Sequence, residues 1–127
     1  MVTSQNKFKA GFKNTNQTNS NNTVFYQFLS LLNKHYKQEH SVEFYTKKLN
    51  LTAINFAKML QSVTNKNAVT IIHERIIQEA KRLFTHTNER SKTIVYELGF
   101  ENEAYFSRFV KKATGFSPRE FVKRNVY

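Results

Sequence analysis

Two segments of the chain repeat one spacing of side chains that can recognise DNA bases. The spacing is i, i+4 and i+7, which places three side chains on one face of an α-helix. The residues at this spacing are Ile54, Lys58 and Gln61 in the first segment, and Ala104, Arg108 and Lys111 in the second. Arg and Lys donate to the O6 and N7 atoms of guanine, and Gln pairs with adenine. Both faces therefore have the chemistry needed to read base edges in a major groove.

Small and apolar side chains on the same faces fit this interpretation. Ala57 and Ser107 flank the polar residues and would let each helix approach DNA closely. Ile54 and Ala104 are suited to contact thymine methyl groups. No acid lies at the centre of either face, because Glu103 is placed at the start of its helix, nearer the side. For each cation taken alone, the alternative is an ordinary solvated helix face.

Basic residues outside these faces are candidates for contacts with the phosphate backbone. Phosphates are bound by helix N-termini and by peripheral Lys and Arg side chains. The candidates are Lys47, Lys66, Arg90, Lys92 and Lys112. The formal net charge of +11 over 127 residues also favours a polyanionic partner, either nucleic acid or an anionic membrane surface.

Each candidate face belongs to the second helix of a unit that occurs twice, at residues 44–66 and 94–116. Each unit has the pattern of a short helix, a tight turn and a longer helix. The corresponding pairs are Leu49 and Leu98, Phe56 and Phe106, Leu60 and Val110, Asn50 and Gly99, and Asn65 and Gly115. Gly and Asn enter the left-handed conformation most readily, so the last two pairs predict the same helix stops in both copies. This pattern is typical of a helix-turn-helix, and the alternative is two αα-hairpins packed for stability alone.

Apolar periodicity and capping residues predict an all-α fold of seven helices without a strand. The predicted helices begin near residue 25 and then cover 41–49, 53–64, 68–84, 91–98 and 103–114, followed by one that starts with Ser117, Pro118 and Glu120. The longest joins the two helix-turn-helix units as a linker. Its predicted buried stripe is Val69, Ile72, Ile76, Ala80 and Leu83. The aromatic residues Tyr105, Phe106 and Phe109 are predicted to lie mainly in the core.

The N-terminal segment differs in composition from the rest of the chain. Residues 14–23 are all Asn, Gln, Ser or Thr, which bury little apolar surface. We therefore expect a disordered polar linker or tail over 1–23 and one domain over 24–127. Within that domain, we expect the helix-turn-helix units at about 41–66 and 91–115, with the linker helix at 68–85. Either a further domain precedes the polar tract in a longer protein, or the basic tail stands alone.

Enzymatic, metal-binding and membrane functions find no support in the residue types. The chain has no Cys, which excludes thiolate nucleophiles and Cys-bound zinc. His73 and Glu74 begin like a zinc-protease helix, but Ile77 stands where the second His is needed. No apolar run approaches the roughly 18 residues of a membrane span, and the N-terminus lacks the apolar region of a secretory signal. We expect no catalytic residue, metal, cofactor or membrane partner, and a cytoplasmic location.

The second unit closely resembles a known protein family. Its sequence IVYELGFENEAYFSRFVKKATGFSPREFVKR is similar almost throughout to the second helix-turn-helix of the AraC/XylS family of bacterial transcription regulators. The segment ERIIQEAKRLF resembles the linker helix of that family, and the resemblance extends over residues 25–124. It implies seven helices, with 53–64 and 103–114 as the recognition helices. The positions that match base-contacting residues of the family are Ile54, Ala57, Lys58, Ala104, Ser107 and Arg108.

The resemblance also implies a function. It predicts a sequence-specific regulator of transcription that binds double-stranded DNA, commonly an activator, with RNA polymerase as a further partner. Many members carry an N-terminal effector or dimerisation domain. The first unit departs from the family pattern, because Ala53 replaces the frequent Pro, Lys58 the usual Arg and Asn65 the usual Gly. Lys lacks the planar fork of Arg, which leaves the base preference of this unit open. The alternative function is a non-specific architectural nucleic-acid-binding protein.

Overall fold

Polar caps fix where most helices of the chain begin. The computed structural model describes the backbone of residues 13–124 and the side chains of residues 20–123. Within them, side-chain oxygens of five residues accept a hydrogen bond from a backbone N–H of the helix that follows. The five are Ser41, Thr52, Asn67, Asn102 and Ser117. Such a bond satisfies one of the N–H groups that a helix start leaves without an intrahelical partner.

Seven helices and no strand make up the described residues, so the predicted all-α fold is confirmed. The helices are α1 (Lys13–His35), α2 (Val42–Leu49), α3 (Ala53–Thr64), α4 (Ala68–His86), α5 (Ser91–Glu97), α6 (Glu103–Thr114) and α7 (Pro118–Arg124). The predicted capping box at α7 is present. Ser117 Oγ accepts from the Glu120 N–H at 3.3 Å, and Glu120 Oε1 accepts from the Ser117 N–H at 3.4 Å.

Left-handed residues end the helices of both repeated units. Asn50 and Asn65 have φ values of 59° and 60°, and they follow α2 and α3. Gly99 and Gly115 have φ values of 89° and 84° at the matching places of the second unit. The N–H groups of Asn65 and Gly115 donate to carbonyls four residues earlier. The prediction that both copies use the same backbone stops is confirmed, and the chain reverses at each stop because a right-handed helix cannot continue through it.

The buried residues form one core with an aromatic group beside each unit, and α4 packs against both units. Beside the first unit, the Phe28 ring of α1 lies edge-on to the rings of Tyr45 and Phe56, with centroid distances of 5.5 and 5.0 Å. In the second, the Phe106 and Phe100 rings are 5.1 Å apart. The residues of α4 that are almost completely buried between the units are Ile72, Ile76, Ile77, Ala80 and Leu83. This arrangement makes α4 the support on which both units are mounted.

Two side chains that were expected in the core are exposed. Val69 was predicted in the buried stripe of α4, but it is 48% exposed, and the neighbouring Ala68 is buried instead. Tyr105 was predicted to lie mainly in the core with Phe106 and Phe109, but it is 55% exposed. Both residues lie in the first turn of their helix. Periodicity gives the angle of a residue around a helix, but it does not show which neighbouring elements reach the end of that helix.

The polar tract was expected to be a disordered linker, whereas α1 begins at Lys13 and includes residues 14–23. Extending an existing helix adds one hydrogen bond per residue without the cost of a new nucleus, so poor helix formers can be incorporated. This part of α1 also lies beside α3, where Asn21 Nδ2 is 3.5 Å from Ser62 Oγ. The expectation for residues 1–12 lies outside the described residues.

His73 of α4 is a titratable group at the contact between α4 and α6. Its ring is edge-on to the Phe109 ring with a centroid distance of 4.8 Å. Burial lowers the pKa of His73 below its ordinary value of 6.5, and the charges of His40 and Lys112 lower it further. The folded protein therefore binds a proton at His73 less readily than the unfolded chain does.

We expect His73 to reduce stability in acid. A group whose pKa is lowered by folding contributes stability above pH 6.5, and that stability is lost as the pH falls through the folded pKa. Urea unfolding of the native protein and of His73→Gln, from pH 7.5 to 5, measures this effect, because all other groups are common to both proteins. The native protein should lose more free energy of unfolding on acidification. Parallel curves would show that His73 titrates alike in both states.

Candidate nucleic-acid interface

The two candidate recognition helices, α3 and α6, are held in equivalent surroundings. Each begins at a cap, where Thr52 Oγ1 accepts from the Asn55 N–H at 3.0 Å and Asn102 Oδ1 accepts from the Tyr105 N–H at 2.8 Å. Each packs on the short helix that precedes it, α2 or α5. Each is 12 residues long and ends in a left-handed residue. The start and end of each helix are therefore determined by residues within the same unit, and each helix also packs on an element outside it, α1 for α3 and α7 for α6.

The outer face of α3 is free of buried side chains. The four predicted base-contacting residues of this helix are all exposed: Ile54, Ala57, Lys58 and Gln61. Phe56 and Leu60, on the opposite side, are 1% and 0% exposed. Ile54 is 68% exposed, so most of this apolar side chain is available for contact with a partner. The Gln61 amide nitrogen lies 3.5 Å from Oδ1 of Asn65. This long hydrogen bond is weak, so Gln61 can exchange it for another partner.

The outer face of α6 has the same construction with a stronger basic character. Its four predicted base-contacting residues are all exposed: Ala104, Ser107, Arg108 and Lys111. Phe106 and Val110 on the opposite side are buried. The one acid of this helix, Glu103, accepts a hydrogen bond from Ser91 Oγ of α5 at 3.0 Å. That bond holds the carboxylate towards α5, so it does not oppose a polyanion at the centre of the face.

Basic residues from both predicted groups border one hollow between α6 and α7. A shallow hollow of about 410 Å³ is lined by Ser107, Arg108, Lys111, Lys112, Ser117 and Pro118. Arg108 and Lys111 were predicted to contact bases, whereas Lys112 was predicted to contact phosphate. The tertiary structure thus places three basic residues and two serines around one hollow at one end of the candidate surface.

The other predicted phosphate contacts are exposed but do not form one cluster. Lys47 and Lys66 are ion-paired, with Glu43 at 3.6 Å and with Glu74 at 3.0 Å respectively. Exposed pairs of this kind contribute about 1 kcal/mol or less, so a phosphate could replace either carboxylate. Arg90 occupies the N-cap position of α5 without a capping hydrogen bond from its side chain, and Lys92 lies in the first turn of that helix.

Tyr105 is a candidate that the sequence reasoning missed. Its exposed ring lies beside the recognition face of α6, and the Arg108 guanidinium is 5.8 Å from the ring centroid. A cation over an aromatic face is attracted by the negative π-cloud, which limits the directions in which Arg108 can point. The i, i+3 spacing of the two residues is visible in the sequence, but the core spacing of the neighbouring aromatic residues concealed it.

The described residues contain no group of three or more His, Cys, Asp or Glu side chains that could hold a metal ion. None of the described helices combines the length and apolar character that crossing a membrane requires.

Comparison with known proteins identifies the family. Residues 45–124, which make up more than half of the chain, match the AraC-type family model described as a helix-turn-helix domain. The chain belongs to the AraC/XylS family of transcription regulators. The match begins within α2 and ends with α7, so this AraC-type domain includes both candidate recognition helices.

Two curated relatives are named as uncharacterized HTH-type transcriptional regulators. The AraC-type domain is 27% identical over 100 residues to YisR of Bacillus subtilis, covering 79% of this chain and 35% of YisR. It is 26% identical over 108 residues to the regulator in the cgkA 5′ region of Pseudoalteromonas carrageenovora, covering 84% of this chain and 63% of that protein. The chain thus spans less than two thirds of the length of either relative.

Solved structures support the same fold. The C-terminal domain of AraT, a response regulator from Geobacillus stearothermophilus, is 20% identical with a TM-score of 0.70, covering 80% of this chain and 84% of that one. The C-terminal domain of the two-component response regulator yesN from Fusobacterium nucleatum is 18% identical, also with a TM-score of 0.70, covering 79% and 98%. At these identities the likeness concerns the fold of the AraC-type domain.

We expect a substitution on the outer face of α3 to change the free energy of unfolding much less than one on its inner face. Ile54→Ala should change the free energy of unfolding by less than about 0.5 kcal/mol, because the side chain is mostly in solvent already. The matched change Leu60→Ala on the same helix should cost about 2–5 kcal/mol, because it leaves a cavity in the core. Urea unfolding of both variants measures the difference. A large loss for Ile54→Ala would mean that Ile54 is covered in solution and is not part of an open surface.

Proposed function

We propose that this protein is a sequence-specific regulator of transcription that inserts α3 and α6 into adjacent major grooves of double-stranded DNA. One observation carries the proposal. Both helices bury their aromatic side and expose an outer face of small, apolar, amide and basic residues, with no acid at its centre. A helix of this kind fits the width of the major groove and has donors for base edges. Membership of a family of DNA-binding regulators supports the same function.

The length of the linker helix α4 is comparable to the distance between adjacent major-groove entries. The 19 residues of α4 span about 28 Å at 1.5 Å per residue. Major-groove entries on one side of a duplex recur at about 34 Å. Since the two readers lie in tandem in one chain, the DNA site need not be palindromic. A bound duplex would also extend along the cations that surround the two faces.

We assign separate roles to the two groups of side chains. The residues of the outer faces would select the sequence through base edges: Ile54, Ala57, Lys58, Gln61, Ala104, Ser107, Arg108 and Lys111. The peripheral cations would hold the phosphates: Lys47, Lys66, Arg90, Lys92 and Lys112. Arg108 is the principal candidate for guanine, because a guanidinium can donate two parallel hydrogen bonds to O6 and N7.

The wider role of the protein is part of the same proposal. We infer that it activates transcription through contact with RNA polymerase, and that an effector or dimerisation domain belongs to the longer protein. Its relatives are named transcriptional regulators and extend well beyond the matched region, which supports this inference. A regulator of a bacterial chromosome acts in the cytoplasm, which is the location we expect.

A non-specific architectural protein is the alternative, and affinity ratios distinguish the two functions. Both bind duplex DNA and both weaken with salt, because counterions are released from the phosphates. Selection of bound sequences from a random duplex library should yield one composite site. Its affinity should exceed that of a scrambled duplex by about 10³-fold or more at physiological salt. A ratio near one would rule out sequence-specific regulation.

Two single changes on α6 should affect binding in different ways. Arg108→Ala should cost about 1–3 kcal/mol with the selected duplex and relax the preference at one base pair, because a base-edge donor is lost. Lys112→Ala, its control, should weaken selected and scrambled duplexes equally and reduce the salt dependence, because a phosphate contact is lost. Equal losses on both duplexes for Arg108→Ala would reassign Arg108 to the phosphate backbone. Titrations at two salt concentrations measure both effects.

A further inference from the structure

The loop between α1 and α2, residues 36–41, reaches across the molecule to the second helix-turn-helix. Lys37 Nζ forms an ion pair with Glu97 Oε2 of α5 at 3.3 Å. His40 Nε2 lies 3.0 Å from the carbonyl oxygen of Leu98. A carbonyl oxygen only accepts, so Nε2 of His40 carries the proton and donates it. The α1–α2 loop therefore connects the two units independently of α4.

The loop has a fixed shape of its own. The N–H groups of Gln38 and Glu39 both donate to the His35 carbonyl, which keeps the chain in a tight turn after α1. The buried Tyr45 of α2 donates its hydroxyl to the Glu39 carbonyl at 2.8 Å. Burial, with a smaller effect of the Glu39 charge, raises the pKa of Tyr45 to about 12, so this donor keeps its proton. Because the loop is fixed to both α1 and α2, its contacts with the second unit can fix the position of that unit.

The far end of the contact leads directly to the recognition helix α6. The His40 ring packs on the Phe100 ring with a centroid distance of 5.0 Å. Phe100 in turn contacts the rings of Phe106 and Phe109 on α6, at 5.1 and 4.9 Å. Only two ring contacts thus separate the α1–α2 loop from the recognition helix α6.

Gly99 shows that the approach is close. A Cβ atom added to Gly99 would collide with the Lys37 carbonyl oxygen and would lie 3.1 Å from Nε2 of His40. Gly115 has a similar φ of 84°, but a Cβ there would meet nothing within 4 Å. Left-handed stops elsewhere in the chain are made by Asn50 and Asn65. The left-handed backbone favours Gly at both positions, and the passage of the loop adds a steric requirement at position 99 that is absent at position 115.

We propose that the α1–α2 loop is a second bridge that fixes the orientation of α6 relative to α3, with His40 and Lys37 as its positioning residues. Packing on α4 holds each unit against that helix, but it does not join the two units to each other. The loop adds a direct attachment, which restricts how one unit can turn relative to the other. The consequence for DNA rests on the proposed function: a fixed orientation presets the spacing between the two half-sites.

The orientation itself can be measured without DNA. The chain has no Cys, so Ala57→Cys on α3 and Ser107→Cys on α6 allow spin labels at two exposed positions only. Pulsed electron paramagnetic resonance then gives the distribution of distances between the recognition helices. We expect one narrow distribution with the native loop, a broad one with His40→Ala, and a narrow one again with His40→Gln, whose amide can donate to the Leu98 carbonyl. Equal widths in all three proteins would overturn the proposal.

A charge exchange provides a variant that does not depend on the buried part of the contact. The side chains of Lys37 and Glu97 are about one third exposed, so their replacement should leave the protein folded. Lys37→Glu should broaden the distance distribution by placing two carboxylates together. Adding Glu97→Lys should narrow it again. A broadening that the double change does not reverse would contradict a role for this ion pair in orientation.

Matched substitutions at Gly99 and Gly115 distinguish the effect of the loop contact from the effect of ending a helix. Gly99→Asn keeps a residue that tolerates the left-handed conformation but places a Cβ against the loop. Gly115→Asn makes the same chemical change where there is open space. The first should broaden the distribution, and the second should leave it unchanged. Thermal melting, recorded alongside, reports folding separately from orientation.

DNA binding provides the functional readout. Against the selected duplex, His40→Ala should lose on the order of tenfold in affinity, because the second unit no longer finds its half-site in a preset position. Duplexes with only one half-site should bind the variant and the native protein equally. A loss on single half-sites as well would indicate general destabilisation and would overturn the positioning role. If the native protein does not discriminate selected from scrambled DNA, the proposed function fails, and the spin-label distances still decide whether the loop is a bridge.

Discussion

Four left-handed residues are the constraint on which the rest of the structure depends. Asn50, Asn65, Gly99 and Gly115 end the helices of the two units. A right-handed helix cannot pass through a residue with positive φ, so each stop forces the chain to turn within a few residues. The turn places a longer helix across a shorter one at two places in the chain. Without these stops, the amphipathic segments would have no defined crossing, and no helix would present its outer face at a fixed angle.

The division of each recognition helix into two sides follows from this geometry. Once α3 and α6 are seated on their supports, the aromatic residues fill the core and the opposite side is left to solvent. Glu103, the only acid of α6, accepts a hydrogen bond from Ser91 of α5, which holds its carboxylate away from the outer face. Positive charge and hydrogen-bond donors therefore remain on the surface that a duplex would meet. The helix α4 and the α1–α2 loop determine how the two surfaces lie relative to one another, and Gly99 takes part in both the stop and the bridge.

Much of the fold could be predicted because its determinants are local. Caps such as Ser41 and Ser117, the left-handed stops and the spacing of Phe56 and Leu60 all act within a few residues along the chain. The predictions that were wrong concern the ends of helices. Val69 and Tyr105 lie in the first turn of a helix, on a side that the neighbouring elements leave in solvent, and the polar tract continues α1 without an apolar face. Which elements reach those positions is a long-range property, and a single sequence does not report it.

The sequence by itself determined the seven helices, the repeated unit and the composition of the two outer faces, because period, caps and turn residues are properties of short segments. Tertiary structure alone decided that Arg108, Lys111 and Lys112 share one hollow with the start of α7, and that Tyr105 stands beside Arg108 in solvent. It also decided that Lys37 and His40 meet Glu97 and Leu98, which are about sixty residues away. Contacts at that separation depend on how packed helices are placed in space, and no periodicity in the chain encodes that placement.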